Sequence, residues 1–346
     1  MQIADFKIGK DCKPFIIAEM SGNHNSSIDR ALKIIETAAA CGAHAIKLQT
    51  YTADTITIDH RGGLFDIKDD TSLWKNRNLY ELYKEAYTPW EWHEQLFKCA
   101  AKNNIICFST PFDDTAVDLL ENLGAPAHKI ASFENNHHPL LKKIAATGKP
   151  VIMSSGVSSL SDLSESVKVL RDNGCKDLVL LKCTSNYPST PENSNLSTIP
   201  HMRDLFNCEV GLSDHTMGIG APIAAVTLGA TVIEKHFCLS RAEGGVDSAF
   251  SLEPDELKAL VIETERAWLS VGVVQYGIQD TEQKSLNFKR SIYVVEDIKE
   301  GELFSEKNVR IIRPGDGLQP KYINNILGKA SKKNYSKGTP FNFDML

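Results

Sequence analysis

The chain of 346 residues is long enough for a domain of about 250 residues together with a smaller one. Hydrophobic residues make up 42% of the sequence and charged residues 24%, a composition typical of globular enzymes. The net charge of −6 and the lack of lysine- or arginine-rich runs argue against a nucleic-acid partner. No apolar stretch approaches the roughly 18 residues that a membrane span needs, so no membrane partner is expected.

Cysteine usage bears on the compartment. The 8 cysteines are scattered along the chain and form no CxxC pair. The first residues, Met1–Phe6, lack the charged and apolar regions of a signal peptide. Because disulfides are rare in a reducing compartment, we expect free thiols, mostly buried as small apolar groups, in a cytoplasmic protein.

Short apolar runs recur along the chain, and each leads into polar, chemistry-capable residues. In chain order the runs are Phe15–Ala18, Ala43–Ile46, Ile105–Phe108, His128–Ala131, Val151–Met153, Leu178–Leu181, Val210–Leu212 and Thr231–Ile233. Continuous apolar runs are typical of parallel strands that are buried on both faces. Stretches with helical spacing separate most of them, which is the order of a (β/α)8 barrel, an α/β fold of the TIM-barrel type. The active site of such a barrel lies at the C-terminal ends of its strands.

The stretches between the runs predict helices, several of which stop just before a glycine. They are Asp29–Ala40, Pro89–Ala101, Thr115–Leu123, His138–Ala146, Ser161–Asn173, Ile219–Leu228 and Glu253–Leu269. A segment from Thr52 to Thr88 is longer than an ordinary loop after a barrel strand, and we expect it to shape the substrate pocket.

The composition changes after Gly277, where the barrel pattern ends. We predict a barrel domain over 1–277, a polar linker over 278–288 and a small β-rich domain over 289–346. Two short strands, Ser291–Val295 and Val309–Ile312, are predicted in the small domain. About 60 residues form a small core, so we expect this domain to dock on another surface.

The residues that end the runs suit an anionic, oxygen-rich substrate. They include Glu19, Lys47, Gln49, Ser109, Thr110, Lys129, Ser132, Ser154, Ser213 and Glu234. Lysine supplies charge and hydroxyl groups supply hydrogen bonds to phosphate or carboxylate. Because a buried lysine needs a partner, the alternative is that one lysine pairs structurally with Glu19 or Glu234. Glu19 is also a candidate general acid or base, or a group that orients a metal-bound water.

Two histidines, His215 and His236, end the seventh and eighth predicted strands. Neighbouring strand ends in a barrel can bring both imidazoles to one cation. With water and substrate oxygens they would form an open catalytic site for a divalent metal, Mn²⁺ or Mg²⁺. The alternative is a pair of hydrogen-bonding histidines that bind no metal.

Together these motifs resemble the sialic acid synthase family over nearly the whole chain. The matching segments are Ile17–Glu19, Asn23–Asn25, Lys47–Thr50, Ser109–Phe112, Lys129–Ser132, Cys183–Ser185, Tyr187–Pro188, Gly211–Thr216, Ile233–Phe237 and Ile312–Gly315. The resemblance implies a TIM barrel followed by a small antifreeze-like (SAF) domain. It also implies metal-dependent condensation of phosphoenolpyruvate (PEP) with an aminosugar, and a domain-swapped homodimer.

The resemblance also assigns roles to individual residues. Those that would hold PEP are Lys47, Lys129, Ser132, Ser154 and Ser213, with Thr110, Ser185 and Tyr187 nearby. His215 and His236 match the metal ligands. Together with Glu19, the candidate acid or base at the end of the first strand, they form the predicted catalytic set. Gln49, Glu134 and Asp247 match positions near the reacting centre and the sugar. Arg313 matches an arginine that the small domain extends to the sugar in the other subunit's site.

Four segments resemble one branch of the family in particular. They are Ala18–Asn25, Thr88–His93, Ala131–Glu134 and Phe250–Pro254. The sugar of that branch is an open-chain 2,4-diacetamido-2,4,6-trideoxy-altrose. Ser26 stands where neuraminate-type synthases usually have glycine, and Ser185 where they tend to have asparagine. The departure at Ser26 argues against N-acetylmannosamine as the substrate, whereas the one at Ser185 concerns a PEP contact.

Three other functions stay open at this point. A neuraminate or legionaminate synthase would share PEP and metal but take another sugar, which assays with each sugar would separate. A barrel aldolase would form a Schiff base through Lys47, Lys129 or Lys235, which borohydride trapping would detect. A non-catalytic sugar-binding module would release no phosphate from PEP.

Overall fold

The computed structural model describes residues 1–70 and 72–346, which form two compact units, Met1–Gly272 and Val273–Leu346. The first unit holds a closed barrel of parallel strands. The strands are β1 (Phe15–Glu19), β2 (Ala45–Thr50), β3 (Ile106–Pro111), β4 (His128–Ile130), β5 (Val151–Ser154), β6 (Leu178–Cys183), β7 (Glu209–Asp214) and β8 (Val232–His236). Each strand pairs with the next, and β8 pairs with β1. The predicted barrel is therefore confirmed, and every apolar run overlaps a strand.

Helices follow the strands and cover the outside of the barrel. They are α1 (Ile28–Ala40), α2 (His93–Lys102), α3 (Asp114–Asn122), α4 (His138–Ala146), α5 (Leu160–Asp172), α6 (Thr198–Phe206), α7 (Gly220–Thr227) and α8 (Pro254–Val271). The predicted helices all overlap these, although Trp90–Trp92 forms a 3₁₀ turn before α2. Helix α6 was not predicted. It buries Ile199, Met202 and Phe206 on one face, but Pro200 in its first turn obscures the pattern.

The barrel interior is apolar near the N-terminal ends of the strands. Phe15, Ile17 and Ala45 pack there with Ile3, which belongs to a short hairpin of the strands Gln2–Ile3 and Phe6–Lys7. Residues on the other face of the strands pack against the helices in a second apolar layer. This arrangement leaves the C-terminal ends of the strands as the place where polar side chains enter the barrel.

The long segment after β2 carries two short helices, Ala53–Ile56 and Leu79–Ala86. Between them, the Trp74 indole nitrogen donates a hydrogen bond to the Val246 carbonyl oxygen at 3.0 Å. The Trp74 ring centroid also lies 5.7 Å from that of Tyr187. The segment thus contacts loops at the C-terminal ends of the barrel strands, where we expected it to shape a pocket.

The second unit has its own small core. Its strands, Ser291–Val294 and Val309–Ile312, lie where the sequence predicts two short strands, and they pair antiparallel. A short helix, Ile323–Ile326, and the 3₁₀ turns Asp280–Phe288, Pro320–Tyr322 and Phe343–Met345 complete it. Its apolar core contains Ile292, Val294, Ile298, Phe304, Val309, Ile326, Phe341 and Met345.

Two further properties concern the described residues as a set. None of their helices combines the length and the apolar character that crossing a membrane requires. Cys12, Cys41, Cys99, Cys107, Cys175, Cys183, Cys208 and Cys238 all carry free thiols, as the scattered spacing led us to expect.

Candidate active site

The site is built from the last residues of the barrel strands. In the register of β7 and β8, Ser213 lies opposite Glu234 and Asp214 lies opposite Lys235. Because side chains alternate along a strand, Ser213 and Glu234 enter the barrel while Asp214 and Lys235 face the helices. On the other side of β8, His236 lies opposite Glu19 of β1. The parallel register therefore gathers residues that are far apart in the sequence.

Two lysines and two carboxylates form a buried charged cluster at the mouth of the barrel, the end at which its strands finish. Lys47 makes an ion pair with Glu19, and its Nζ lies 3.7 Å from Glu234 Oε1. Lys129 Nζ lies 3.9 Å from the same oxygen. Each of these four side chains is at most 6% exposed. The structural pairing of Lys47 that the sequence left as an alternative is present, and Glu234 joins both lysines.

Burial and the neighbouring charges shift the pKa values of the groups in this cluster in different directions. Burial lowers the pKa of Lys47, but Glu19 and Glu234 outweigh it, and the pKa lies above its ordinary value. Burial alone would raise the pKa of Glu234, but Lys129 and Lys47 hold it below the ordinary value. Burial keeps the pKa of Glu19 raised despite Lys47. When the surroundings shift the pKa values of two carboxyls in opposite directions, the carboxyl with the raised pKa is the better candidate for proton transfer.

Hydroxyl groups surround the two ammonium groups. Lys129 Nζ donates to Ser154 Oγ at 2.7 Å, and Lys47 Nζ donates to Thr110 Oγ1 at 3.2 Å. Ser213 donates to Glu234 Oε1 at 3.2 Å. Ammonium groups beside hydroxyl donors are suited to bind phosphate and carboxylate oxygens.

A glycine brings Ser132 and Ser185 to the same place. The Gly156 backbone N–H donates to Ser132 Oγ at 3.2 Å. A Cβ atom on Gly156 would lie 2.1 Å from Ser185 Oγ and 2.5 Å from Ser132 Oγ, so only glycine permits this approach. Asn135 holds the segment by donating to the Gly156 and Ser154 carbonyl oxygens. Sequence reasoning missed Gly156 and Asn135, because neither lies in a spacing that indicates such a contact.

The two strand-end histidines lie together. The ring centroids of His215 and His236 are 5.4 Å apart. Tyr187 packs against His215 with centroids 4.3 Å apart, and Phe250 packs against His236 at 4.9 Å. The Nδ1 atom of His215 contacts the Thr184 carbonyl oxygen at 2.9 Å, which fixes the orientation of its ring. The predicted convergence of these imidazoles is therefore present.

The chemistry of this pair fits a metal ion with open coordination positions. His236 Nδ1 is buried, lies 3.7 Å from Asp247 Oδ2, and has no hydrogen-bond partner within residues 1–70 and 72–346. Burial and nearby positive charges lower the pKa of His236 well below its ordinary value, which favours the neutral, metal-binding form. Residues 1–70 and 72–346 contain no group of three or more His, Cys, Asp or Glu side chains arranged to hold a metal. The two histidines would therefore leave the other positions to water and substrate.

Two of the predicted sugar-side residues, Gln49 and Asp247, join this network around Ser21. Gln49 Nε2 donates to Glu19 Oε1 at 3.2 Å and to Ser21 Oγ at 3.1 Å. The Ser21 hydroxyl in turn bonds to the Asp247 carboxylate. Gln49 thus contacts Glu19 directly, and Asp247 joins the same network through Ser21, to which the sequence analysis assigned no role.

Two predicted residues, Glu134 and Arg313, take no part in the hydrogen bonds just described. Glu134 follows β4, and its Oε2 is buried with no hydrogen-bond partner in the described part of the chain. Burial raises the pKa of Glu134 to about 7. Arg313 belongs to the second unit, where it is exposed and directly follows the strand Val309–Ile312.

The raised pKa of Glu134 predicts a pH-dependent stability. A carboxyl whose pKa rises on folding stabilises the protein fully below its unfolded pKa near 4.5, and this contribution is lost as the pH rises through about 7. Glu134→Gln removes the titration. Between pH 5 and pH 8, we expect the variant to gain up to about 3 kcal/mol in unfolding free energy relative to the unsubstituted protein.

Urea denaturation of the two proteins at several pH values measures this difference. Glu165→Gln, which changes an exposed glutamate on α5, is the matched control and should show no such trend. A Glu134→Gln difference that stays constant from pH 5 to pH 8 would contradict the buried, titrating carboxyl.

Comparisons with known proteins agree with this geometry. The NeuB family profile matches residues 34–276 and the SAF domain profile matches residues 289–346. A pseudaminic acid synthase from Campylobacter jejuni is 45% identical over 98% of this chain and 97% of its own length. An N,N'-diacetyllegionaminic acid synthase from the same species is 38% identical over 94% of this chain and 98% of its own length.

A solved structure gives the same result in three dimensions. The crystal structure of an N-acetylneuraminic acid synthetase from Leptospira borgpetersenii, in complex with citrate, superposes with a TM-score of 0.72 and 33% identity. The match covers 82% of this chain and 94% of that one. The sequence resemblance and the predicted barrel with its SAF domain are thereby confirmed: the chain belongs to the NeuB family.

Proposed function

We propose that this protein is a pseudaminic acid synthase. It condenses PEP and water with 2,4-diacetamido-2,4,6-trideoxy-altrose, giving pseudaminic acid and phosphate. The observation that carries the proposal is the barrel mouth, where buried Lys47 and Lys129 lie beside hydroxyl donors and a pair of histidines. The choice of sugar is supported by the 45% identity to the pseudaminic acid synthase of C. jejuni.

PEP binding is the first task of the mouth. Its phosphate and carboxylate carry several negative charges, which Lys47 and Lys129 balance. Ser132, Ser154 and Ser213 donate hydrogen bonds to the same oxygens, with Thr110, Ser185 and Tyr187 nearby. Such donors are already fixed before the substrate enters, so they stabilise developing charge without reorganising.

The carbon–carbon bond then forms between C3 of PEP and the aldehyde carbon of the sugar. A divalent metal, Mn²⁺ or Mg²⁺, held by His215 and His236 would supply Lewis-acid polarisation of that aldehyde. Gln49, Asp247 and Glu134 orient the sugar beside C3. Positive charge develops at C2 of PEP as the bond forms.

Water completes the reaction at C2. Glu19, whose pKa is raised by burial, accepts a proton as water adds, and this proton passes to the alkoxide formed from the aldehyde oxygen. The bond between C2 and the phosphate ester oxygen then breaks, the C2 hydroxyl becomes the ketone and its proton leaves with phosphate, while Lys47 and Lys129 stabilise the leaving group.

The Schiff-base alternative is weaker at each candidate lysine. Lys47 is ion-paired with Glu19, and Lys129 donates to Ser154 and lies near Glu234. Lys235 faces away from the mouth and is ion-paired with Asp214. Each amino group is held by these partners, whereas Schiff-base formation needs an amine that is free to attack a carbonyl carbon.

Phosphate release from PEP, measured against a panel of sugars, tests the proposed reaction. We expect release with the altrose derivative and at least about a hundredfold lower kcat/KM with N-acetylmannosamine or with the stereoisomer that a legionaminate synthase takes. If the legionaminate precursor gave the highest kcat/KM, the legionaminate alternative would replace this proposal.

We also propose a cytoplasmic, domain-swapped homodimer in which Arg313 reaches the sugar in the other subunit's site. Arg313 is exposed and follows a strand of the small unit, which suits a contact outside that unit. Arg313→Ala should raise the KM of the sugar at least about tenfold and leave the KM of PEP nearly unchanged, because only the sugar contact is lost.

Mixed dimers distinguish a swapped arginine from one that acts within its own chain. Arg313→Ala and His215→Ala chains are each impaired when assayed alone. In a mixed dimer, the barrel with intact His215 would receive Arg313 from the other chain and recover the normal sugar KM. Native mass spectrometry identifies the mixed dimers. If these dimers did not recover the normal sugar KM, the domain swap would be contradicted.

A further inference from the structure

A buried ammonium lies just outside the mouth, where an apolar residue would be expected. Lys235 is 1% exposed and sits in β8 between Glu234 and His236, which face the mouth. Its own side chain lies on the helix side of the strand, where Ile233 packs in the apolar layer. Burying a charge in such a place is costly unless it is fully paired, so the position calls for a specific role.

The Lys235 ammonium uses all of its donors on one short segment. It bonds to Asp214 Oδ2 at 2.7 Å, to the Thr216 carbonyl oxygen at 2.5 Å and to the Gly218 carbonyl oxygen at 2.9 Å. Asp214 in turn accepts from the Thr216 N–H and hydroxyl, each at 3.0 Å. The backbone from Asp214 to Gly218 is therefore folded around a single cation.

This segment contains His215. Asp214 and Lys235 are direct cross-strand neighbours in the register of β7 and β8. The next residue after each of them is one of the two histidines whose ring centroids lie 5.4 Å apart. A shift of Lys235 or of Asp214 would therefore move one imidazole relative to the other.

We propose that the Lys235–Asp214 ion pair is a positioning device that fixes the segment carrying His215 against the strand carrying His236. Neither side chain touches substrate. The pair holds the spacing of the two imidazoles, and through that spacing it sets the affinity for the divalent metal. This inference rests on the metal site in the proposed function and goes beyond it by naming what holds the ligands in place.

Mn²⁺ binding to metal-stripped protein tests the inference directly. Lys235→Met alone would leave Asp214 as an unpaired buried charge, so the test variant is the double substitution Lys235→Met with Asp214→Asn. We expect its Kd for Mn²⁺, measured by calorimetry and by the free-Mn²⁺ signal in electron paramagnetic resonance, to rise at least about tenfold. If the double variant does not fold, Asp214→Asn alone takes its place under the same criterion, because the Thr216 and Gly218 carbonyl oxygens still bind the Lys235 ammonium.

A stability-matched control separates positioning from a general loss of stability. Leu170→Ala creates a cavity under α5, and it should lower Tm without changing the Kd for Mn²⁺. A double variant that binds Mn²⁺ as tightly as the unsubstituted protein would overturn the inference. If the unsubstituted protein shows no Mn²⁺ binding that His215→Ala and His236→Ala abolish, the proposed metal site itself fails.

Discussion

His215→Ala and His236→Ala are each expected to lower kcat by at least about a thousandfold. The physical reason is the loss of a metal ligand, since Lewis-acid stabilisation of the aldehyde contributes several kcal/mol and each 1.4 kcal/mol is about tenfold in rate. Phosphate release from PEP in the presence of the sugar measures the effect. EDTA should remove the activity of the unsubstituted protein, and added Mn²⁺ should restore it.

The control for these substitutions is another buried histidine. His128 lies in β4 and pairs with Glu121 on the outside of the barrel. His128→Ala removes a buried imidazole without touching the mouth, so its folded fraction should keep its activity and its sensitivity to EDTA. Full turnover in metal-free buffer, or an active His236→Ala enzyme, would refute the metal role.

Lys129→Met should lower kcat/KM for PEP by about a thousandfold. The substitution removes a buried positive charge that lies 3.9 Å from Glu234 and 2.7 Å from Ser154. Losing one partner of a buried charge contact costs on the order of 4 kcal/mol, which corresponds to that factor. Steady-state kinetics with PEP as the varied substrate measure the loss, and Lys129→Arg should recover part of it because the charge is retained.

The matched control is Lys182→Met in β6. Lys182 is a half-buried strand-end lysine, but its ammonium donates to the Cys183 carbonyl oxygen and to Thr184. The same substitution there should change kcat/KM for PEP by less than about threefold. Equal effects of Lys182→Met and Lys129→Met would mean that Lys129 has no special place in PEP binding.

The barrel could be predicted because its strands carry a local signal. Each apolar run, such as Val151–Met153, reflects burial on both faces of a parallel strand and needs no knowledge of the neighbouring strands. Helix α6 was missed because its signal is local but weak: Pro200 and the polar residues before it hide three buried apolar positions. The strand pattern thus depends less on any single residue than the helix pattern does.

The site was predictable only as a set of residues at strand ends. Which side chains would touch depends on the register between strands, and register is a long-range property. The contacts of Glu234 with both Lys47 and Lys129 join residues on three different strands, β8, β2 and β4. The hydrogen bond from Trp74 to Val246 likewise joins loops that are distant in the sequence. Individual roles, such as that of Arg313, came from family resemblance rather than from residue spacing.

A crystal structure with Mn²⁺ and PEP would test the central claim most directly. The account predicts an anomalous Mn²⁺ peak bound by His215 and His236, and PEP oxygens within hydrogen-bond distance of Lys47, Lys129 and Ser154. PEP bound away from those lysines, or Mn²⁺ bound without the two histidines, would contradict it.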